Sequence, residues 1–82
     1  TPVDKVLIPT GEHLSVTGTP FDFREPHTIG ERIAETHPQL IVGGGYDHNW
    51  ELNTPADGKI HSACTVYAPS TGRFMEIFTD QP

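Results

Sequence analysis

The sequence predicts a mainly β fold with one short helix, and three observations predict it. Eight prolines and eight glycines divide 82 residues into short pieces, which suits strands and turns better than long helices. Through the C-terminal third, apolar and polar residues alternate singly, the period of a strand. Helical spacing appears in one place, after Thr28.

Taken in order, "TPVDKVLIPTGE" brackets a short apolar piece between Pro2 and Pro9, so it should be irregular or edge-like. "EHLSVTG" sets His13, Ser15 and Thr17 against Leu14 and Val16, a strand pattern closed by Gly18. "TPFDFREP" alternates Phe21 and Phe23 with Asp22 and Arg24 and again reads as extended. In "HTIGERIAETH", Thr28 stands three residues before Glu31, the spacing of a capping box. Ile29 and Ile33 then share a helical face. Pro38 should end this helix near His37, and Gly30 keeps it to two or three turns.

"YDHNWEL" alternates Tyr46, His48, Trp50 and Leu52 with Asp47, Asn49 and Glu51. That predicts a strand with one aromatic, apolar face and one polar face. "NTPADGK" carries strong turn chemistry. "KIHSACTVYA" places Ile60, Cys64 and Val66 on one face and Ala63, Thr65 and Tyr67 on the other. After the turn "PSTG", "RFMEIFT" is apolar on both faces, as in a strand covered on both sides. Three strands joined by tight loops predict an antiparallel meander.

Charge and composition narrow the function. A chain of this length forms at most one domain and buries a thin core. At 34% hydrophobic residues it is slightly polar for a globular domain, which suggests that these residues pack against more chain. The net charge of −6 argues against nucleic acid or an anionic membrane surface as partner, because both require a basic stripe. Lys5, Arg24, Arg32, Lys59 and Arg73 are scattered. No apolar run approaches the roughly 20 residues of a membrane span, and no signal peptide is expected. A single cysteine, Cys64, forms no internal disulfide and permits a reducing compartment.

The chemistry-bearing residues are few. The gaps between His13, His27, His37, His48 and His61 are wide, unlike the close spacing of zinc ligands, so no metal is expected. Cys64 sits mid-strand, where a cysteine reads as a small core residue rather than a thiolate nucleophile. "GGGYD" lacks the helix and lysine of a phosphate-cradling loop. Asp47 admits two readings. It is a solvated residue on the polar face of a strand, or, beside glycines that let a ligand come close, a carboxylate that accepts hydrogen bonds from hydroxyls.

Four segments in order, "LIPTGE" (7–12), "GTPFDFREPHTIGERI" (18–33), "GGGYDHNWELN" (43–53) and "STGRFMEIFTDQP" (70–82), resemble the aldose 1-epimerases, also called galactose mutarotases. The resemblance implies that the chain is an internal slice, residues 1–82, of a large antiparallel β-sandwich, the galactose mutarotase-like supersandwich. It further implies an isomerase that interconverts the α and β anomers of free hexoses such as galactose and glucose, without a cofactor. In that family a carboxylate base takes the C1 hydroxyl proton while a histidine acid protonates the ring oxygen, the division of labour that general acid–base catalysis requires. Neither the "HSYFNL"-like motif of the acid nor the "LEPQ"- or "LETQ"-like motif of the base occurs in the sequence, so no catalytic residue falls within it. The sugar-binding aspartate of the family's G-x-D-H-N motif matches Asp47. His48 and Asn49 belong to the motif with structural roles, and Trp50 stands where the family often has phenylalanine or tyrosine.

The implied partners are a small-molecule hexose and the remainder of a mutarotase chain. The implied compartment is the cytoplasm, although some bacterial members carry export signals. An alternative of a different class stays open: a non-catalytic carbohydrate-binding module or an inactive relative.

Overall fold

Local sequence explains the clearest element first. In the computed structural model, which describes residues 1–82, β1 (His61–Ala68) and β2 (Arg73–Thr79) pair antiparallel in a two-stranded sheet. Pro69–Gly72 joins them, with Gly72 donating its backbone N–H to the Ala68 carbonyl at 2.8 Å. Gly72 adopts φ +71°, which a side chain would resist. The ladder pairs Tyr67 with Phe74, Val66 with Met75, Thr65 with Glu76 and Cys64 with Ile77.

The register then slips. Ser62 pairs with Phe78 rather than Cys64's next neighbour in phase, leaving Ala63 as the extra residue of a β-bulge. Side chains alternate along a strand, and cross-strand partners share a face. One face therefore carries Cys64, Val66, Met75 and Ile77, flanked by the pairs His61–Thr79 and Ala68–Arg73, and the other carries Ser62, Thr65, Tyr67, Phe74, Glu76 and Phe78. The Ser62 hydroxyl donates to Glu76 Oε2 at 2.6 Å on that second face. Strict alternation would have put Ser62 with Cys64; the bulge moves it across. Both faces are open, Phe74 at 63% and Ile77 at 44% exposure.

The helix lies nine residues later than the capping-box spacing suggests. Residues Ile29–Glu31 form a single 3-10 turn. Thr28 is extended but its hydroxyl makes no capping bond, while the Glu31 carboxylate turns to His27 Nδ1 at 2.9 Å. With neither half of the box closed, nothing propagates the turn. The α-helix is α1, Pro38–Gly43. Pro38 begins it rather than ending its predecessor: at the first helical position the missing N–H is not needed and the fixed φ is already helical. His37 caps it, Nδ1 accepting the Gln39 N–H at 3.1 Å.

Gly44 closes α1 in the left-handed region at φ 65°. Gly44 N–H reaches the Ile41 carbonyl and Gly45 N–H the Leu40 carbonyl, the paired bonds of a Schellman motif.

Two expected strands are absent. Residues 13–17 make no ladder, and the stretch after them folds into successive turns, Thr19 N–H to Val16 O and Asp22 N–H to Thr19 O; the extended reading of residues 19–26 is thus corrected. Residues 46–52 also form no strand, so the ordered meander has two strands. A strand exists only with a neighbour to bond, and the aromatic side chains of 46–50 pack on a ring instead. The Pro2–Pro9 stretch meets expectation, making one isolated bridge between Val3 and Pro9.

Mainly β with one antiparallel sheet and one short α-helix is therefore the fold class. The chain divides into two units, Thr1–Trp50 and Glu51–Pro82. The first holds the buried side chains Phe21 and Leu40; the second is the hairpin with its leading loop. No helix is long and apolar enough to cross a membrane.

Candidate functional site

The stretch that holds Asp47 is built around one ring. Phe21, at 9% exposure, meets His37, Tyr46 and His48 edge to face at centroid separations of 5.3, 5.6 and 5.1 Å. Trp50 lies tilted against it at 5.6 Å. Aromatic pairs favour such edge contacts, each adding about 0.5–1.5 kcal/mol beyond burial. Successive turns deliver Phe21, α1 delivers His37 at its cap, and the chain after Gly45 delivers Tyr46, His48 and Trp50.

The alternation read from the sequence therefore holds for the side chains although the strand does not form. Tyr46, His48 and Trp50 face Phe21, Trp50 while still 43% exposed, and Asp47 and Asn49 are exposed. Polar contacts fix the same segment. The Tyr46 hydroxyl donates to the Pro20 carbonyl at 2.8 Å, and His48 Nε2 lies 3.2 Å from Gln39 Oε1. Gln39 is itself tied to Val3, accepting its N–H at 2.8 Å and donating to its carbonyl at 3.0 Å.

Since Gln39 Oε1 is only an acceptor, His48 bonds it through a protonated Nε2. That leaves Nδ1 as the bare nitrogen, and Nδ1 is buried without a partner. Burial accordingly lowers the His48 pKa below the usual 6.5, with the negative charge of Asp47 pulling the other way.

Asp47 is exposed, and none of these bonds uses its carboxylate. The family resemblance matches it to a sugar-binding aspartate; the structure places it at the surface of an anchored segment, next to His48, on whose ring its charge acts. No group of three or more His, Cys, Asp or Glu is placed to hold a metal ion.

A second polar cluster escaped sequence reasoning. The Arg32 guanidinium sits 5.1 Å over the Phe23 ring and donates to the carbonyls of Asp22 at 2.8 Å and Thr19 at 3.3 Å. Arg24 forks onto the Asp22 carboxylate through Nε at 2.9 Å and a second nitrogen at 2.7 Å. Those bonds hold the Asp22 carboxyl far below the usual carboxylate range. An open cleft of about 440 Å³ adjoins the cluster, lined among others by Asp22, Arg24, His27 and Arg32. The Asp22–Arg24 spacing was visible in the sequence. The reach of Arg32 back to residue 19 was not, because it depends on the turns between them.

Comparison with known proteins completes the picture. The family model for aldose 1-epimerase matches residues 1–82. Galactose mutarotase of Bos taurus is 41% identical over 81 residues, and that of Homo sapiens 38%. Aldose 1-epimerase of Escherichia coli is 35% identical over 81 residues. Each alignment covers 99% of this chain but only 22–23% of the relative, so the chain spans somewhat over a fifth of their length. No solved structure matches it significantly. With its whole length matched, the chain belongs to the aldose 1-epimerase family.

Proposed function

We propose that this chain is an internal slice of an aldose 1-epimerase that interconverts the α and β anomers of free hexoses such as galactose and glucose, and that Asp47 binds the sugar. The observation carrying the second part is the division of residues 46–50. Three aromatic side chains bind them to Phe21, while Asp47 is exposed on a backbone it cannot easily leave. An ionised carboxylate forms stronger hydrogen bonds to hydroxyls than a neutral acceptor does, and a fixed one contributes orientation as well as affinity. Hexose hydroxyls supply the donors it requires.

The slice supplies part of the sugar-binding wall and no proton shuttle. The acid and base belong to the remainder of the chain, no cofactor takes part, and the reaction is placed in the cytoplasm. The hairpin supports this reading. Its two apolar faces, Val66 with Met75 and Ile77 on one and Tyr67 with Phe74 and Phe78 on the other, suit a strand pair covered on both sides, as in the galactose mutarotase-like supersandwich.

Polarimetry of fresh α-galactose with the full-length protein tests the role of Asp47. Asp47→Ala should lower kcat/KM by about a hundredfold, the cost of losing a positioning group, with folding unchanged by circular dichroism. An unchanged rate would remove Asp47 from the site. A full-length protein with no mutarotase activity that still binds galactose would instead support a carbohydrate-binding module or inactive relative. The 82-residue chain alone should leave the spontaneous rate unaltered.

A further inference from the structure

Gly43 and His48 are in contact, and a side chain at residue 43 fits only if the His48 ring gives way. A Cβ placed on Gly43 would stand 2.9 Å from His48 Cε1 and 3.6 Å from Nε2, too close for two carbons. The backbone gives no other reason for glycine there. Unlike Gly44 and Gly45, Gly43 is not among the residues with positive φ. It is the last residue of α1, so no left-handed backbone calls for glycine at that position. The imidazole alone opposes alanine.

That imidazole is held on three sides. Gly43 backs its Cε1 edge, Gln39 Oε1 bonds Nε2, and Phe21 meets it edge to face. Gln39 cannot turn to release it without breaking both of its bonds to Val3. The residue immediately before this fixed ring is Asp47, whose own side chain is exposed.

We propose that His48, seated against Gly43 and Gln39, is a positioning residue that sets where the Asp47 carboxylate stands for the hexose, and that Gly43 is glycine to admit its ring. This rests on Asp47 binding the sugar. An alanine at residue 43 displaces the ring by a fraction of an ångström, and the neighbouring carboxylate moves with it.

The experiment uses the full-length protein, with kcat and KM for galactose anomer interconversion measured for Gly43→Ala, His48→Asn and the double variant, each with Asp47 intact and with Asp47→Ala. Gly43→Ala should lower kcat/KM about tenfold, since a displacement of ~1 Å costs about a hundredfold. The shorter side chain of His48→Asn leaves room for a Cβ, so the double variant should lose less than the product of the two single losses. With Asp47→Ala, the effect of Gly43→Ala should fall below about twofold, because residues acting as a unit are not additive. A general loss of structure would persist in that background.

If Gly43→Ala costs the same tenfold without Asp47, or costs nothing with it, the positioning role is overturned while Asp47 keeps its own. If Asp47→Ala alone has no effect, the sugar-binding reading falls and takes the positioning role with it. Should Gly43→Ala fail to fold, ¹⁵N-histidine spectra of the unmodified protein at neutral pH decide: a His48 ring protonated on Nε2 alone supports the seat, and one protonated on Nδ1 overturns it.

Discussion

The two units order themselves by opposite means. Thr1–Trp50 has one short helix and no sheet, yet it contains the buried side chains Phe21 and Leu40. Glu51–Pro82 has fifteen residues in an antiparallel ladder, eight in β1 and seven in β2, yet it buries no large side chain. Packing without regular hydrogen bonding holds the first; hydrogen bonding without packing holds the second. A backbone ladder satisfies its own polar groups but contributes little net stability per bond, whereas apolar burial supplies the dominant favourable term. The unit with the more regular backbone therefore leans harder on surroundings outside itself.

The same substitution in each unit would break that comparison most directly. Phe21→Ala removes the ring on which four aromatic neighbours rest and should cost about 3–5 kcal/mol, the range for buried phenylalanine. Loss of amide protection throughout residues 37–50 in hydrogen exchange would show it. Phe78→Ala in the 82-residue chain should cost under about 1 kcal/mol, since the ring is 58% exposed and only cross-strand pairing is lost. In the full-length protein its cost should rise to that of Phe21. Equal costs for Phe78 in both contexts would mean that the hairpin faces stay open.

The smallest effect is linked to pH and touches the first unit alone. Burial lowers the His48 pKa, so the unfolded chain binds the proton more readily than the folded one. Stability from this residue is then complete above the unfolded value, near 6.5, and is lost as pH falls below it toward the depressed folded value. His48→Asn should flatten the midpoint of thermal unfolding between pH 7 and about pH 5, where the unsubstituted protein declines. A decline of equal slope in both would assign the acid sensitivity elsewhere.

What could be read from the sequence divides along the same line. The hairpin was legible because alternation and the "PSTG" turn are local, and both strands formed where they were expected. The facing of Tyr46, His48 and Trp50 was legible for the same reason. Helix position was not: Pro38 suits the first position of a new helix as well as the end of an old one, and the capping box failed because His27 claimed Glu31. The strands at 13–17 and 46–52 were overread, since alternation reports which side is buried, not whether a partner strand exists. The Gly43–His48 contact left no periodic trace, because it joins a helix end to an irregular segment.

Ala63 shows how much one residue changes. By absorbing a single extra position, it sends Ser62 across the ribbon and leaves Cys64, Val66, Met75 and Ile77 as an uninterrupted patch of hydrocarbon and sulfur. The opposite side keeps the Ser62–Glu76 bond among its aromatic rings. The two sides of the ribbon thus differ in kind, aliphatic and sulfur-bearing at the middle of one and aromatic on the other, and any neighbouring layer of protein would find them chemically distinct, which gives the hairpin a preferred way round before anything has docked against it.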